Sequence, residues 1–449
     1  MREESQAPRN SRELAVRNQF FTPRYVVQFL TDNTLGRIWY EMRDTKTALT
    51  GPAAGSMDYS SGSALSPTPP ARVQGAGFGV QQSQVATPNP EPRTPNPICE
   101  YMVRKPGETF APRPKKDPRD LRVLDPACGS GHFLLYAFDL LIAIYEEAWA
   151  DPESPRSEVT GRTLAEDYPS LDALRKAVPG LILAHNLHGV DIDLRCAQIA
   201  QLALWMRAQK AYRDFGIGRA ERPQIRRSNI VVAEPLVADE QIAREFVAKL
   251  GDPELGRVFM SLVESLSLAG NMGLLLRVEQ LVARQPQHGQ TGDLFAPPQE
   301  RIRAALDRFV REDTGLPTTR RRLFADDAVH GMALLGVAEK RFDVVLMNPP
   351  FGASATPAKD RLAADYRRAK QDLLACFVER GLELLHPGGL LGAITSRTGF
   401  FLGSFRAWRE EVVLNEARPT VFADLGHGVM DAAMVEAAAY CLVKTPRSA

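Results

Sequence analysis

Cysteine is sparse. Cys99, Cys128, Cys196, Cys376 and Cys441 are scattered over 449 positions, with no CxxC spacing and no Cys/His pairing. That argues against a disulfide framework or a metal site and fits a reducing cytoplasm. No apolar run approaches the roughly 20 residues of a membrane-crossing helix. The charged opening, MREESQAPRNSREL, does not read as a secretion signal. An excess of one charge is also missing: 55 Lys and Arg stand against 54 Asp and Glu, a formal net charge of +1. The whole chain therefore gives no electrostatic argument about nucleic acid, and any basic surface must be local. With 44% hydrophobic and 24% charged residues, the composition is that of a globular protein with ample material for a core. The expectation is a cytoplasmic protein with no membrane segment and no metal.

Large aliphatic residues are scarce in residues 50–97, which are rich in Pro, Gly, Ser and Thr. Such a stretch cannot offset its ordering entropy by burial, so 43–117 is expected to be a flexible, low-complexity insertion. It separates an N-terminal helical segment, 14–42, from a main domain, 118–449, that holds a helical insertion at about 237–330. In the N-terminal segment Thr22 suits a helix N-cap and Pro23 the first helical position, ahead of an apolar stripe through Val26, Val27, Leu30, Leu35 and Ile38. The main domain alternates β-like and helical runs. Strands are expected at 121–125, 187–191, 229–234, 342–347, 389–395, 420–425 and 435–444, with helices at 130–149, 195–212 and 372–385. Several strands are continuous apolar runs, the pattern of a sheet covered on both faces. The fold expected is a doubly wound, mostly parallel α/β sheet, with 121–125 and 342–347 central.

In such a sheet ligands bind at the carboxyl ends of strands, near the point where strand order reverses. The string DPACGSGHF (125–133) lies at such an end. Asp125 closes a strand, Gly129 and Gly131 shape the turn, and the helix that follows presents free backbone N–H groups. The spacing differs from the dinucleotide pattern GxGxxG. A carboxylate at this turn would repel a pyrophosphate but attract a cationic ligand. S-adenosylmethionine, with its ammonium and sulphonium, is such a ligand.

At these residues the chain resembles the S-adenosylmethionine-dependent DNA adenine-N6 methyltransferases, whose cofactor loop reads much like LDPACGSGHF. The resemblance implies a Rossmann-like, seven-stranded sheet of the class I methyltransferase type. It places Pro126, Ala127 and Cys128 of the same loop on the cofactor, and in HGVDID it makes Asp191 the ribose ligand, with Ile192 beside it. Asp193 is expected to cap the next helix instead. Glu234, at the end of the third strand, would bond the cofactor's adenine amine, with Asp326 or Asp327 as rivals. NQFFTP (18–23) resembles the motif that precedes the glycine loop in this class, and implies Phe21, Thr22 and Pro23 near the cofactor carboxylate.

FDVVLMNPPFG (342–352) ends a second central strand with Asn348, Pro349, Pro350 and Phe351. An exocyclic adenine amine is a poor nucleophile, because its lone pair is delocalised into the ring. The Asn348 side-chain oxygen and the Pro349 carbonyl can accept its two N–H bonds and favour a pyramidal nitrogen, with Pro350 stiffening the backbone. Phe351 can stack on a base extruded from duplex DNA, which would offset part of the cost of flipping. Cytosine-C5 chemistry usually places its nucleophile in a Pro-Cys pair, and no Pro-Cys occurs. Cytosine-N4 enzymes usually carry Ser where Asn348 stands. Glutamine-N5 transfer to proteins also uses Asn-Pro-Pro and remains an alternative. Arg367, Arg368 and Lys370 are candidate phosphate contacts, whereas Lys115, Lys116, Arg226, Arg227 and Arg320–Arg322 read first as solvated charge.

The motif order resembles the gamma arrangement, and TPRYVVQFLTDNTLGRIW, LDPACGSGHFLLYAFDLLIAIYEEAW and GVDIDLRCAQIAQLALW resemble the PglX methyltransferases of bacterial BREX phage defence. The resemblance implies a site-specific adenine methyltransferase acting on double-stranded DNA, with separate target-recognition or defence subunits as partners. A catalytically silent or partner-dependent subunit is the alternative.

Overall fold

The computed structural model describes residues 22–50, 98–283 and 331–445, apart from 106–107, 111–112, 226–227, 237–239 and 430–434, together with 301–302 and 304–305. Phe21, Asp326 and Asp327, like the greater part of the low-complexity stretch, lie outside the described residues.

All seven expected strands form: β1 (Val123–Asp125), β2 (Leu187–Asp191), β3 (Asn229–Val232), β4 (Phe342–Met347), β5 (Leu385–Ser396), β6 (Ala417–Gly426) and β7 (Ala437–Lys444). They join one sheet in the order β3-β2-β1-β4-β5-β7-β6. Only β7 runs against its neighbours, β5 and β6. β4 is the middle strand and β1 lies beside it in parallel register, Val123 opposite Val344 and Leu124 opposite Val345. The sheet is therefore the doubly wound, class I methyltransferase-type arrangement.

The apolar run of β4 is explained by two cores. Val344 and Leu346 join one cluster, while Val345 and Met347 join the other, because alternate residues face opposite sides of a strand. Each such buried side chain contributes on the order of 1.5–3 kcal/mol. The first core also holds α1 (Arg24–Thr31), α2 (Arg37–Met42), α3 (His132–Ala150), α4 (Leu171–Leu181) and α5 (Leu194–Asp214). The second holds α6 (Glu240–Leu250), α7 (Pro253–Leu266), a helix over 331–338 and α8 (Leu373–Leu384). After β1 the chain therefore turns onto one face of the sheet, and after β4 onto the other. A crevice must open between those two adjacent strand ends.

Two local expectations change. The stripe through Val26, Val27, Leu30, Leu35 and Ile38 is buried as expected, but α1 and α2 are joined by a π-helical turn, Asp32–Gly36. Pro23, not Thr22, occupies the N-cap of α1, and no side chain caps it. Pro23 instead leaves its carbonyl to Val26 and Val27 N–H, which frees the Thr22 hydroxyl for another partner.

Candidate functional site

The glycine turn is built by its own backbone. Cys128 N–H donates to the Val190 carbonyl at 3.0 Å and Gly131 N–H to the Cys128 carbonyl at 2.8 Å, so the loop crosses from β1 to the end of β2. Gly131 caps α3 with φ of 87°, a left-handed conformation that a side chain would strain. Asp191 ties the two strand ends together. One carboxylate oxygen accepts Gly129 N–H at 2.8 Å, and the other accepts Asp193 N–H at 2.8 Å. Asp193 caps α5 by accepting Arg195 N–H, as its position in the sequence implies.

Asn348, at the end of β4, donates its side-chain N–H to the Thr22 hydroxyl at 2.9 Å. A segment 326 residues earlier in the chain thus reaches the Asn-Pro-Pro turn. Just beyond the turn, Gly352 adopts φ of 87°, and its N–H donates to Asp372 at 2.8 Å. The same Asp372 oxygen accepts Leu374 N–H at 3.0 Å and so caps α8, while Leu373 N–H returns a bond to the Gly352 carbonyl at 2.9 Å. The turn is held from both sides.

These elements surround a cavity of about 340 Å³, within the size range of small-molecule sites. Thr22, Asp125, Pro126, Ala127, Cys128, Gly129, Asp191, Ile192, Asn348 and Pro350 all line it. Pro23, Gly131, Pro349, Phe351 and Glu234 are not among the lining residues. Pro23, Gly131 and Pro349 are backbone neighbours of residues that are, and Phe351 is half-buried, packed against both cores. Glu234 lies two residues past β3 and is partly exposed.

Burial sets the electrostatics. Asp125 is pushed up to about 8, chiefly by desolvation, helped by the nearby Asp191 and opposed by one hydrogen bond from Ala127 N–H. Asp191 is also raised by burial, partly relieved by its backbone donors. The Cys128 thiol is held far above its ordinary value for the same reason, so it is not a thiolate nucleophile. Among the described residues neither buried acid pairs with a cation, and a positively charged ligand suits the cavity.

The sequence did not flag part of the lining. Asn271, Met272, Gly273 and Leu275 come from the chain after α7, and Leu373 and Phe377 from α8. The 271–275 segment is anchored by α8, where buried Arg380 donates to the Leu274 carbonyl at 2.9 Å and to both Glu279 oxygens. The Tyr366 hydroxyl donates to the Leu275 carbonyl at 2.8 Å. A glycine-flanked GNMG is a turn signal, but nothing local says where the turn will dock.

The basic run after the turn separates. Arg368 is committed inside the protein, to Glu379 at 2.8 Å and Glu416 at 2.6 Å, so it is not a phosphate contact here. Arg367 and Lys370 are exposed. Lys115 pairs with Asp151 and Lys116 with Asp343, as ordinary structural charge. Phe405 is buried, and Phe400 packs edge-on against Trp408, Phe422 and Tyr440. Among the described residues no single helix is long and apolar enough to cross a membrane.

Comparison with known proteins finds both relatives and a family. The chain is 26% identical over 426 residues to the adenine-specific methyltransferase BrxX of Escherichia coli O9:H4 (strain HS), covering 93% of this chain and 29% of that one. It is 22% identical to the adenine-specific methyltransferase PglX of Lacticaseibacillus casei (strain Zhang), covering 90% and 27%. The chain thus spans less than a third of the length of these relatives. A solved structure of the type IIL restriction-modification enzyme MmeI in complex with DNA aligns with 74% of this chain and 32% of that one, at 14% identity and a TM-score of 0.36. The MmeI DNA-methyltransferase domain profile matches residues 115–242, and the Eco57I restriction-modification methylase profile matches residues 185–428, more than half of the chain. On that match the chain belongs to the Eco57I restriction-modification methylase family.

Proposed function

We propose that this chain is the catalytic part of a DNA adenine-N6 methyltransferase of a restriction-modification or phage-defence system, with S-adenosylmethionine as methyl donor. The observation that carries this reading is the Thr22–Asn348 hydrogen bond, because it seats the Asn-Pro-Pro turn on the cavity formed by the glycine loop.

The residues present fit the cofactor. Asp125 and Asp191 are buried acids with no cationic partner among the described residues, and both line the cavity with the glycine loop. Thr22 and the start of α1 would face the amino-acid end, Asp125 and the loop residues Pro126 to Gly131 the middle, and Asp191 with Ile192 the ribose. Phe21 and Pro23 flank Thr22. Bound S-adenosylmethionine supplies an electrophilic methyl group.

Asn348 then has one committed end. Its nitrogen is held by Thr22, so its oxygen is the end left to accept an adenine N–H. The Pro349 carbonyl is the second acceptor, and Pro350 restricts the backbone between them, so both dipoles are set before the base arrives. Phe351 offers a ring face to the extruded base. The Asp372 bonds to Gly352 and Leu374 hold the turn in place. Double-stranded DNA is the proposed substrate, and the choice of target site is proposed to draw on further protein surface, in the same polypeptide or in separate subunits.

Labelled methyl transfer to duplex DNA of varied sequence, with and without the products of neighbouring genes, tests this. N6-methyladenine should be the product. Asn348→Ala should abolish it while S-adenosylhomocysteine still binds nearly as before. Incorporation into protein glutamine, or an active Asn348→Ala variant, would overturn the reading.

A further inference from the structure

The cavity contains a side-chain amide oxygen with no hydrogen-bond partner. Asn271 lines it, and its Oδ1 is buried without a hydrogen bond. An unsatisfied buried acceptor costs roughly 1–3 kcal/mol, so an amide left in this state calls for a missing donor. Two residues on from Asn271, Gly273 approaches Ile192 so closely that an added Cβ would come within 3.3 Å of Ile192 Cγ2. The same cavity carries the apolar side chains of Ile192, Met272, Leu275, Leu373 and Phe377.

Apolar walls together with the Asn271 carboxamide match a purine, whose faces are apolar and whose edge carries donors and acceptors. Adenine places an N–H donor beside a ring-nitrogen acceptor, and a carboxamide meets both with its oxygen and its NH2 group. No hydrogen bond holds the Asn271 oxygen, so the amide can turn about its last bond to present that atom to the cavity. Glu234 is not among the lining residues.

Resting on the cofactor reading above, we propose that Asn271 reads the adenine edge of the cofactor, accepting a hydrogen bond from the 6-amino group. The segment that follows α7 is then a specificity element of the cofactor site, fixed against α8 by Arg380 and Tyr366.

The test compares S-adenosylhomocysteine with its analogue bearing hydrogen in place of the 6-amine, by calorimetry on the full chain. The wild type should prefer the amine-bearing ligand about tenfold, the worth of one hydrogen bond. Asn271→Ala should weaken S-adenosylhomocysteine about tenfold and bring the two ligands to equal affinity. A merely structural role would weaken both ligands alike and leave their ratio unchanged, which would overturn the proposal. So would equal affinities in the wild type, a result that needs no variant. A wild type that binds neither ligand would instead remove the cofactor reading itself.

Discussion

Asp125→Asn should make this protein more stable and a poorer binder of S-adenosylmethionine. The carboxyl is buried at the end of β1, and burial pushes it up to about 8, well above the ordinary carboxylate range. Between those values the folded chain holds a proton that the unfolded chain has lost, so stability falls as pH rises from 4 to 8. About four pH units at roughly 1.4 kcal/mol each give a cost on the order of 5 kcal/mol at pH 8. Asparagine removes that cost and keeps an oxygen for the Ala127 N–H bond, but its NH2 group then needs a partner, at roughly 1–3 kcal/mol. The net gain should be about 2–4 kcal/mol at pH 8 and close to nothing at pH 5.

Binding should run the other way. A cationic ligand beside Asp125 favours the carboxylate, so below about pH 8 binding must release a proton. Affinity of the wild type should climb by up to about tenfold per pH unit between roughly 6 and 8, and the Asn variant should lose that slope. Urea denaturation and calorimetry at pH 5, 6, 7 and 8 read both effects. Equal denaturation midpoints at pH 8, or a pH-independent affinity in the wild type, would refute the account. The reasoning also explains why a buried acid is tolerated there: a site prepared for a cation is destabilised without one.

Two further outcomes concern the catalytic turn. Thr22→Val removes the acceptor for the Asn348 nitrogen and leaves the amide free to turn, so methyl transfer should fall about 10- to 100-fold, with a smaller loss of cofactor affinity, and Thr22→Ser should restore it; equal losses in rate and affinity would refute the orienting role. Asp372→Ala strands two backbone N–H groups, each costing roughly 1–3 kcal/mol, whereas Asp372→Asn keeps the one oxygen that accepts both. Because burial holds Asp372 up at about 6, the Asn variant should match or exceed wild-type stability at pH 7, and chemical denaturation giving Asn and Ala the same deficit would show that the bonds do not matter.

The strands were legible because periodicity records which faces are covered. Val344 to Met347 is apolar at every position, and a strand of that kind has a core on each side wherever it stands in the sheet. The strand-end acids and glycines were legible because their chemistry is local: Gly131 needs its left-handed φ, and Asp193 caps the residues right after it. Thr22 shows where that reasoning stops. Its neighbours describe an N-cap, but the hydroxyl instead meets an amide 326 positions away, and nothing near Thr22 encodes it. Arg368 misled in the same way, because a run of cations after the turn suggests phosphate contacts until Glu379 and Glu416 are seen beside it.

The same contrast explains why the site draws on such distant segments. β1 and β4 are adjacent and parallel, so their carboxyl ends lie one strand spacing apart, about 4.8 Å, while the chains leaving them go to opposite faces. Neither strand can close the resulting crevice alone. The side reached from β1 is bounded by the start of α1 through Thr22, and the side reached from β4 by α8 and the 271–275 segment that α8 anchors. Each wall is therefore secured by contacts between residues far apart in sequence. A change that loosens Arg380, which lies outside the lining, should accordingly act on the cavity through Leu274 and its neighbours, not through the sheet.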